Sequence, residues 1–222
     1  APNGCSSLQA EIYFNKGVKF DKTNQEILDQ VKVYNIHPGK LPDYKGRHPT
    51  FHATINGDKS IFYTLHEVVV RIDSGKIIDE VEMPYYFWQN EFDVQKYLIF
   101  AFDKLIKSLP LYFENKIISK INSTGKYYPK VQKKDKILNT EFSIAKLLNI
   151  IRAQVPFGGA IFLYKNQEYL IRSAEVQLFN PSFKIQRKTV TLNGKPIGII
   201  IDKHHFLKFT EIVEYEINKN LL

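Results

Sequence analysis

Apolar and aromatic side chains alternate with polar ones over residues 30–34 (Gln-Val-Lys-Val-Tyr), the spacing of a strand entering a buried sheet. Successive residues of an extended chain point to opposite faces. Asn35 and His37, at the carboxyl end of this strand, therefore share one face while Ile36 turns toward the core. Pro38-Gly39 and Leu41-Pro42 next exclude a helix and force a structured loop. Residues 48–55 read as a helix, with Pro49 in the first turn and Phe51, Thr54 and Ile55 at helical spacing, and Asn56-Gly57-Asp58 stops it. Residues 60–72 are strand-like. Asp73-Ser74-Gly75 makes a tight turn before Lys76-Ile77-Ile78, so Asp73 lies at a strand-to-turn corner.

Further along, residues 93–106 carry apolar positions at helical spacing, with Asp93 as N-cap and Leu98, Phe102 and Leu105 as core; any helix beyond Pro110 follows a break. Residues 116–136 are lysine-rich and lack periodicity, the pattern of a linker. A short helix follows through Arg152, capped by Asn139 or Thr140. From Ala160 the pattern turns to β, with strands expected at 160–164, 168–171, 175–179, 184–192 and 197–201, broken by Lys165-Asn166, Pro181 and the hairpin dipeptide Asn193-Gly194. The predicted organisation is α/β: a catalytic core over 1–115, a linker over 116–138 and a small β-rich domain over 139–222.

In open α/β sheets ligands bind outside the carboxyl ends of strands, where Asn35, His37 and Asp73 are expected to converge. A carboxamide, an imidazole and a carboxylate around one carbon can move an acyl group onto an amine. The reaction passes through a tetrahedral centre with charge on oxygen, which preorganised donors stabilise; losing one costs on the order of 100-fold. The amine must also shed a proton, for which imidazole is suited, and a neighbouring carboxylate stabilises the cation. No covalent intermediate is needed, so Cys5 has no required role. His48 and His52 have the i, i+4 spacing of helical zinc ligands, but no Glu or cysteine pair accompanies them, and no metal site is read. His204-His205 reads as a surface pair.

The string Asn35-Ile36-His37-Pro38, Leu41-Pro42, Tyr44-Lys45-Gly46, Pro49, Asn56-Gly57, His66 and residues 72–78 together resemble the folate-dependent formyltransferase family, which includes methionyl-tRNA and sugar N-formyltransferases. Residues 10–14, 16–17 and 26–28 weakly resemble the strand, loop and helix that precede the signature; Phe142-Ser143-Ile144 and Phe157-Gly158-Gly159-Ala160 resemble the start of the small C-terminal domain. The resemblance implies a Rossmann-like fold and N10-formyltetrahydrofolate as co-substrate. Asn35 would donate to the formyl oxygen, His37 would stabilise the oxyanion or relay a proton, and Asp73 would set the state of His37. Gly39, Lys40, Leu41, Pro42, Ile72 and Ser74 would contact the pterin. Only about one βα unit precedes the signature in a chain that opens on Ala1-Pro2-Asn3-Gly4, so an N-terminally shortened nucleotide fold is expected.

The 222 residues are 44% hydrophobic, enough for a domain and a smaller companion. The single Cys excludes an intrachain disulfide, and with no apolar run near the roughly 18 residues of a membrane span, a soluble cytoplasmic protein is expected. A formal charge of +8, with Lys184, Arg187, Lys188, Lys195, Lys203 and Lys208 in the β-rich part, would serve a tRNA. It would equally attract a nucleotide-linked sugar or a polyglutamylated folate. Gly39, where the methionyl-tRNA enzymes usually carry Ser, and residues 142–162 resemble the sugar enzymes, so a nucleotide-linked amino sugar is the expected acceptor. Methionyl-tRNA is the alternative; a shortened chain that binds folate or a partner without catalysis is the alternative of another class.

Overall fold

The computed structural model describes residues 28–122, 124–178, 184–186 and 188–215. The elements expected at 10–14 and 16–17, the helix start at 26–27, and Cys5, Phe179, Pro181 and Arg187 lie outside them. In chain order the elements are β1 (Tyr34–His37), β2 (Lys45–Gly46), α1 (Pro49–Asn56), β3 (Ser60–Glu67), β4 (Ile77–Pro84), α2 (Glu91–Ile106), α3 (Ser108–Phe113), β5 (Tyr127–Tyr128) and α4 (Ile144–Gln154), then β6 (Ala160–Tyr164), β7 (Gln167–Leu178), β8 (Lys184–Gln186), β9 (Thr189–Leu192), β10 (Lys195–Ile200) and β11 (His205–Tyr215).

The first sheet has the antiparallel order β1-β3-β4. Alternate residues of β3 serve its two faces. Ile61, Tyr63 and Leu65 are buried in one core with Ile78, Val81 and the Val94, Ala101 and Leu105 stripe of α2. Thr64 and His66 face the other way. The expected strand at 30–34 begins only at Tyr34, because the ladder with β3 runs from Tyr34↔Glu67 to His37↔Thr64. Asn35 and His37 thus lie inside a paired strand, not beyond its end. Likewise β3 stops at Glu67, and Val69, Val70 and Ile72 are exposed, their β-branched character unmatched by a partner strand.

Helix α2 starts earlier than expected. Asn90 is its cap, accepting from Phe92 N at 2.8 Å, while Asp93, three residues on, accepts from Asn90 N at 3.0 Å in a capping box. Its inward stripe runs through Val94 and Ala101 to Leu105, with Leu98 packed at the edge; Phe102 is only half-buried. Helix α4 is capped by Ser143, whose Oγ accepts from Lys146 N, whereas Asn139 closes the preceding turn by accepting from Glu141 N.

The second sheet has the order β6-β7-β11-β10-β9-β8. Two strands expected at 168–171 and 175–179 are one long β7, and the strand expected at 184–192 is two, parted around Lys188 at φ 62°. Asn193 and Gly194, both at positive φ, form the β9–β10 hairpin. Strand β11, not expected from the sequence, buries Phe206, Leu207 and Phe209, and His205 opens it. Leu147, Ile150 and Ile151 of α4 pack on this sheet, and Ile55 of α1 joins that core. No helix among the described residues is long and apolar enough to cross a membrane.

Residues 116–122 run back along the first sheet, and Ile137 and Leu138 join the second beside Ile161. Ile77 and Lys120 form an antiparallel bridge, and β5 pairs in parallel with β2. Lys45 N and Arg47 N donate to Lys126 O and Tyr128 O at 3.0 and 2.9 Å.

Candidate active site

The ladder sets Asn35 opposite His66 and His37 opposite Thr64. Paired residues project on the same side of a sheet, so the four side chains stand together on the face away from α2. The loop after β1 folds over this face: Thr64 Oγ1 donates to Gly39 O at 2.7 Å and accepts from Leu41 N at 3.4 Å. Beyond β3 the chain turns at Asp73, which adopts φ 48°, and the turn closes tightly because a Cβ at Gly75 would lie 1.9 Å from Glu67 O. The Asp73 carboxylate is thereby aimed back at the sheet. Its Oδ2 accepts from Gly46 N at 2.7 Å and stands 3.7 Å from His37 Nδ1; its Oδ1 stands 3.7 Å from His66 Nε2. Asn35, His37 and Asp73 are brought to one place.

The hydrogen-bond acceptors fix where the protons sit. Glu67 O only accepts, so neutral His66 carries its proton on Nδ1, 2.7 Å away. Its Nε2 lone pair then receives one N–H of the Asn35 carboxamide at 3.2 Å. That contact orients the amide and leaves its second N–H for a ligand. By the same argument His37 directs Nε2–H to Tyr44 O at 2.7 Å and keeps Nδ1, facing Asp73, as its basic nitrogen. Burial pushes His66 down to about 4, with His37 and Lys45 adding to the effect and the Glu67 carbonyl and Asp73 opposing it. His66 is therefore neutral near pH 7, and its approach to Asp73 is not an ion pair.

Of the residues expected against the pterin, Gly39 packs on His37 and Pro49, and Leu41 is buried beneath the loop. Pro42, joined to Leu41 by a cis bond, backs onto Gly125. Ile72 is exposed, and Ser74 Oγ donates to Ile72 O at 3.0 Å. Lys40 sits over the Phe62 ring and lines a cleft of about 570 Å³ with Tyr44, Asp58 and Tyr128. None of the three convergent residues lines that cleft.

Three further residues belong to the neighbourhood. His66 is quoted in the resemblance without a role; its place in the polar alternation Thr64, His66 on an otherwise apolar strand marks it as facing the same side as Asn35. Lys45 is buried, and its Nζ reaches Ser74 Oγ at 3.4 Å; burial, with Arg71 adding and Asp73 opposing, holds its ammonium below the ordinary lysine value. Asn122 donates to Asp73 O and Gly75 O at 2.8 and 2.9 Å. Nothing in the polar pattern around Asn122 signals that contact.

Known proteins share stretches of this sequence and its fold. Residues 25–93 match the Formyl transferase family. The methionyl-tRNA formyltransferase of Streptococcus equi subsp. equi is 31% identical over 156 residues, covering 68% of this chain and 50% of the relative. The chain spans about half the length of the curated relatives it matches. HypX from Aquifex aeolicus in complex with tetrahydrofolic acid has a similar fold, with a TM-score of 0.61 over 89% of this chain and 35% of that one at 16% identity. The N-formyltransferase from Helicobacter canadensis, in complex with folinic acid and dTDP-3-aminofucose, gives a TM-score of 0.58 over 80% of this chain and 65% of that one at 19% identity. With the family's segment spanning β1, its covering loop and the Asp73 turn, and a curated relative matched well beyond it, the chain belongs to the formyltransferase family.

Proposed function

We propose that this chain carries the chemical site of an enzyme that transfers a formyl group from N10-formyltetrahydrofolate to the primary amine of a nucleotide-linked amino sugar. The observation that carries the reading is the convergence of Asn35 and His37, on one face of β1, with the Asp73 carboxylate 3.7 Å from His37 Nδ1.

In this reading the amine nitrogen attacks the formyl carbon, the second N–H of Asn35 Nδ2 donates to the oxygen as it gains charge, and the bond from carbon to N10 breaks. The amine loses one proton and N10 gains one. His37 Nδ1 is the basic nitrogen placed to receive that proton, and Asp73 faces the imidazolium that forms. His37 Nε2–H is committed to Tyr44 O, which holds the ring in register. The exposed Ile72 and the Ser74 backbone stand at the turn where the pterin is expected, whereas the packing of Gly39 and Leu41 gives them the part of supporting the loop.

The acceptor is supported by Gly39 in the covering loop and by the fold shared with an N-formyltransferase that binds an amino sugar. Methionyl-tRNA is the second reading, favoured by the 31% identity to a methionyl-tRNA formyltransferase and by the charge of +8. The test is to incubate the chain with N10-formyltetrahydrofolate and either a dTDP-linked amino sugar or methionyl-tRNA and to follow tetrahydrofolate release. Formylation of the sugar, lost on the order of 100-fold in Asn35→Ala or His37→Ala with the fold retained, is expected. Formylation of tRNA alone would replace the acceptor. Folate binding without turnover, while a longer form works, would leave the chain as the binding half of the site.

A further inference from the structure

We propose that Asn122, from the polar segment between the two cores, is the positioning residue that holds Asp73 in its working place. The inference rests on the formyl-transfer reading of Asn35, His37 and Asp73. The register explains how so distant a residue arrives there. Ile77 N donates to Lys120 O at 3.0 Å and Lys120 N to Ile77 O at 2.7 Å, an antiparallel pair just at the start of β4. Continuing that register by two residues sets position 122 opposite Gly75. The carboxamide Nδ2 of Asn122 spends one hydrogen on Asp73 O at 2.8 Å and the other on Gly75 O at 2.9 Å, clasping the turn on both sides of Ser74.

The turn needs such a clasp. Asp73 sits at φ 48°, a conformation that L residues adopt sparingly, and contacts beyond the Asp-Ser-Gly turn itself keep it there. From that conformation its Oδ2 reaches Gly46 N at 2.7 Å and faces His37 Nδ1 at 3.7 Å. A shift of the turn by about 1 Å would break the first contact and misalign the second, and a displacement of that size in a reacting constellation costs on the order of 100-fold. Among the described residues the Asn122 side chain bonds only to the backbone on either side of Ser74, so its influence on the chemistry passes through Asp73.

The experiment compares Asn122→Ala and Asn122→Asp in the full chain, the second keeping the side chain's shape while removing both donors. Expected are a fall in kcat of about 10- to 100-fold with the KM for the formyl donor changed by less than about threefold, and displaced 15N chemical shifts of the His37 ring. In an Asp73→Asn background the same Asn122 change should cost less than about twofold, since the group it positions is already lost. Wild-type kcat and unmoved His37 shifts in Asn122→Asp would overturn the proposal, as would a full, additive loss in the Asp73→Asn background. Should the unmodified chain transfer no formyl group, that result leaves it as the binding half of the site, and the His37 shifts alone decide whether Asn122 sets the turn. If Asn122→Ala does not fold, Asn122→Asp carries the test.

Discussion

Asn35 presents one amide hydrogen to the site because His66 takes the other, and His66 can do so only while neutral. Its ring is 2% exposed, and burial holds its pKa at about 4, against about 6.5 for the same residue in an unfolded chain. Between those two values the unfolded chain binds a proton that the folded chain does not, so stability rises with pH across that window and is lost as pH falls through it. At 1.36 kcal/mol per unit the loss between pH 6.5 and pH 4 amounts to about 3 kcal/mol. Urea unfolding of wild type and His66→Gln at pH 7, 5.5 and 4 checks this: the wild-type curve should lose about that much more than the variant on the way down. Parallel curves would show that His66 does not carry the acid sensitivity. The prediction has a chemical counterpart, because protonated His66 donates from Nε2 and can no longer accept from Asn35.

At the scale of elements, the site depends on a loop that is not itself regular. Thr64 in the middle of β3 pins it, donating to Gly39 O and accepting from Leu41 N, and Thr64 is fully buried. Thr64→Val keeps the shape and strands both loop groups without a partner, so a loss of about 1–3 kcal/mol is expected by urea unfolding. Thr64→Ser should recover most of it; equal stabilities for all three would place the loop's anchor elsewhere. The sequence made α1, its Gly57 stop, the Asp73 turn and the Asn193-Gly194 hairpin legible, because each is written in local chemistry: a proline that fits a first turn, glycines that accept positive φ. It placed Asn35, His37 and Asp73 by the resemblance of a dense run of residues. Strand limits were less legible, since the start of β1 and the end of β3 are set by which residues find a ladder partner, and Val31, Val69 and Val70 have strand chemistry without one. The role of residues 116–138 was illegible for a related reason. They are held by backbone pairing at Lys120 and Tyr127–Tyr128 and by one carboxamide, and hydrophobic periodicity records buried side chains, not paired peptide groups.

For the whole molecule, the two cores are joined where α4 crosses the first of them, and Arg152 is the joint. Its guanidinium lies 4.4 Å over the Tyr85 ring, Nη1 donates to Tyr86 O at 2.9 Å, and Nε donates to Asn149 Oδ1 at 3.1 Å. Burial lowers its pKa from the ordinary arginine value, yet it remains charged, so the cation is held by fixed dipoles and a ring face in place of water. Ile55 and the Lys146 ammonium, which donates to Ile55 O at 3.0 Å, make the second tie through α1. If these contacts make the cores unfold as one, Trp88 fluorescence, which reports the turn that Arg152 clasps, and the β-strand amide I infrared band, to which the larger sheet contributes most, should show the same urea midpoint. Arg152→Met keeps the apolar stem while removing the charge, the carbonyl bonds and the ring contact. Each charged hydrogen bond contributes about 1.5–3 kcal/mol and the ring contact about 1 kcal/mol, part of which the vacated carbonyls recover from water. A net loss of about 2–3 kcal/mol is expected, with the fluorescence midpoint falling below the amide I midpoint, because the turn at residues 85–90 loses its tie while the second sheet keeps its own core. Coincident midpoints lowered together would show that α1 alone suffices to couple the cores, and an unchanged midpoint would show that Arg152 does not join them.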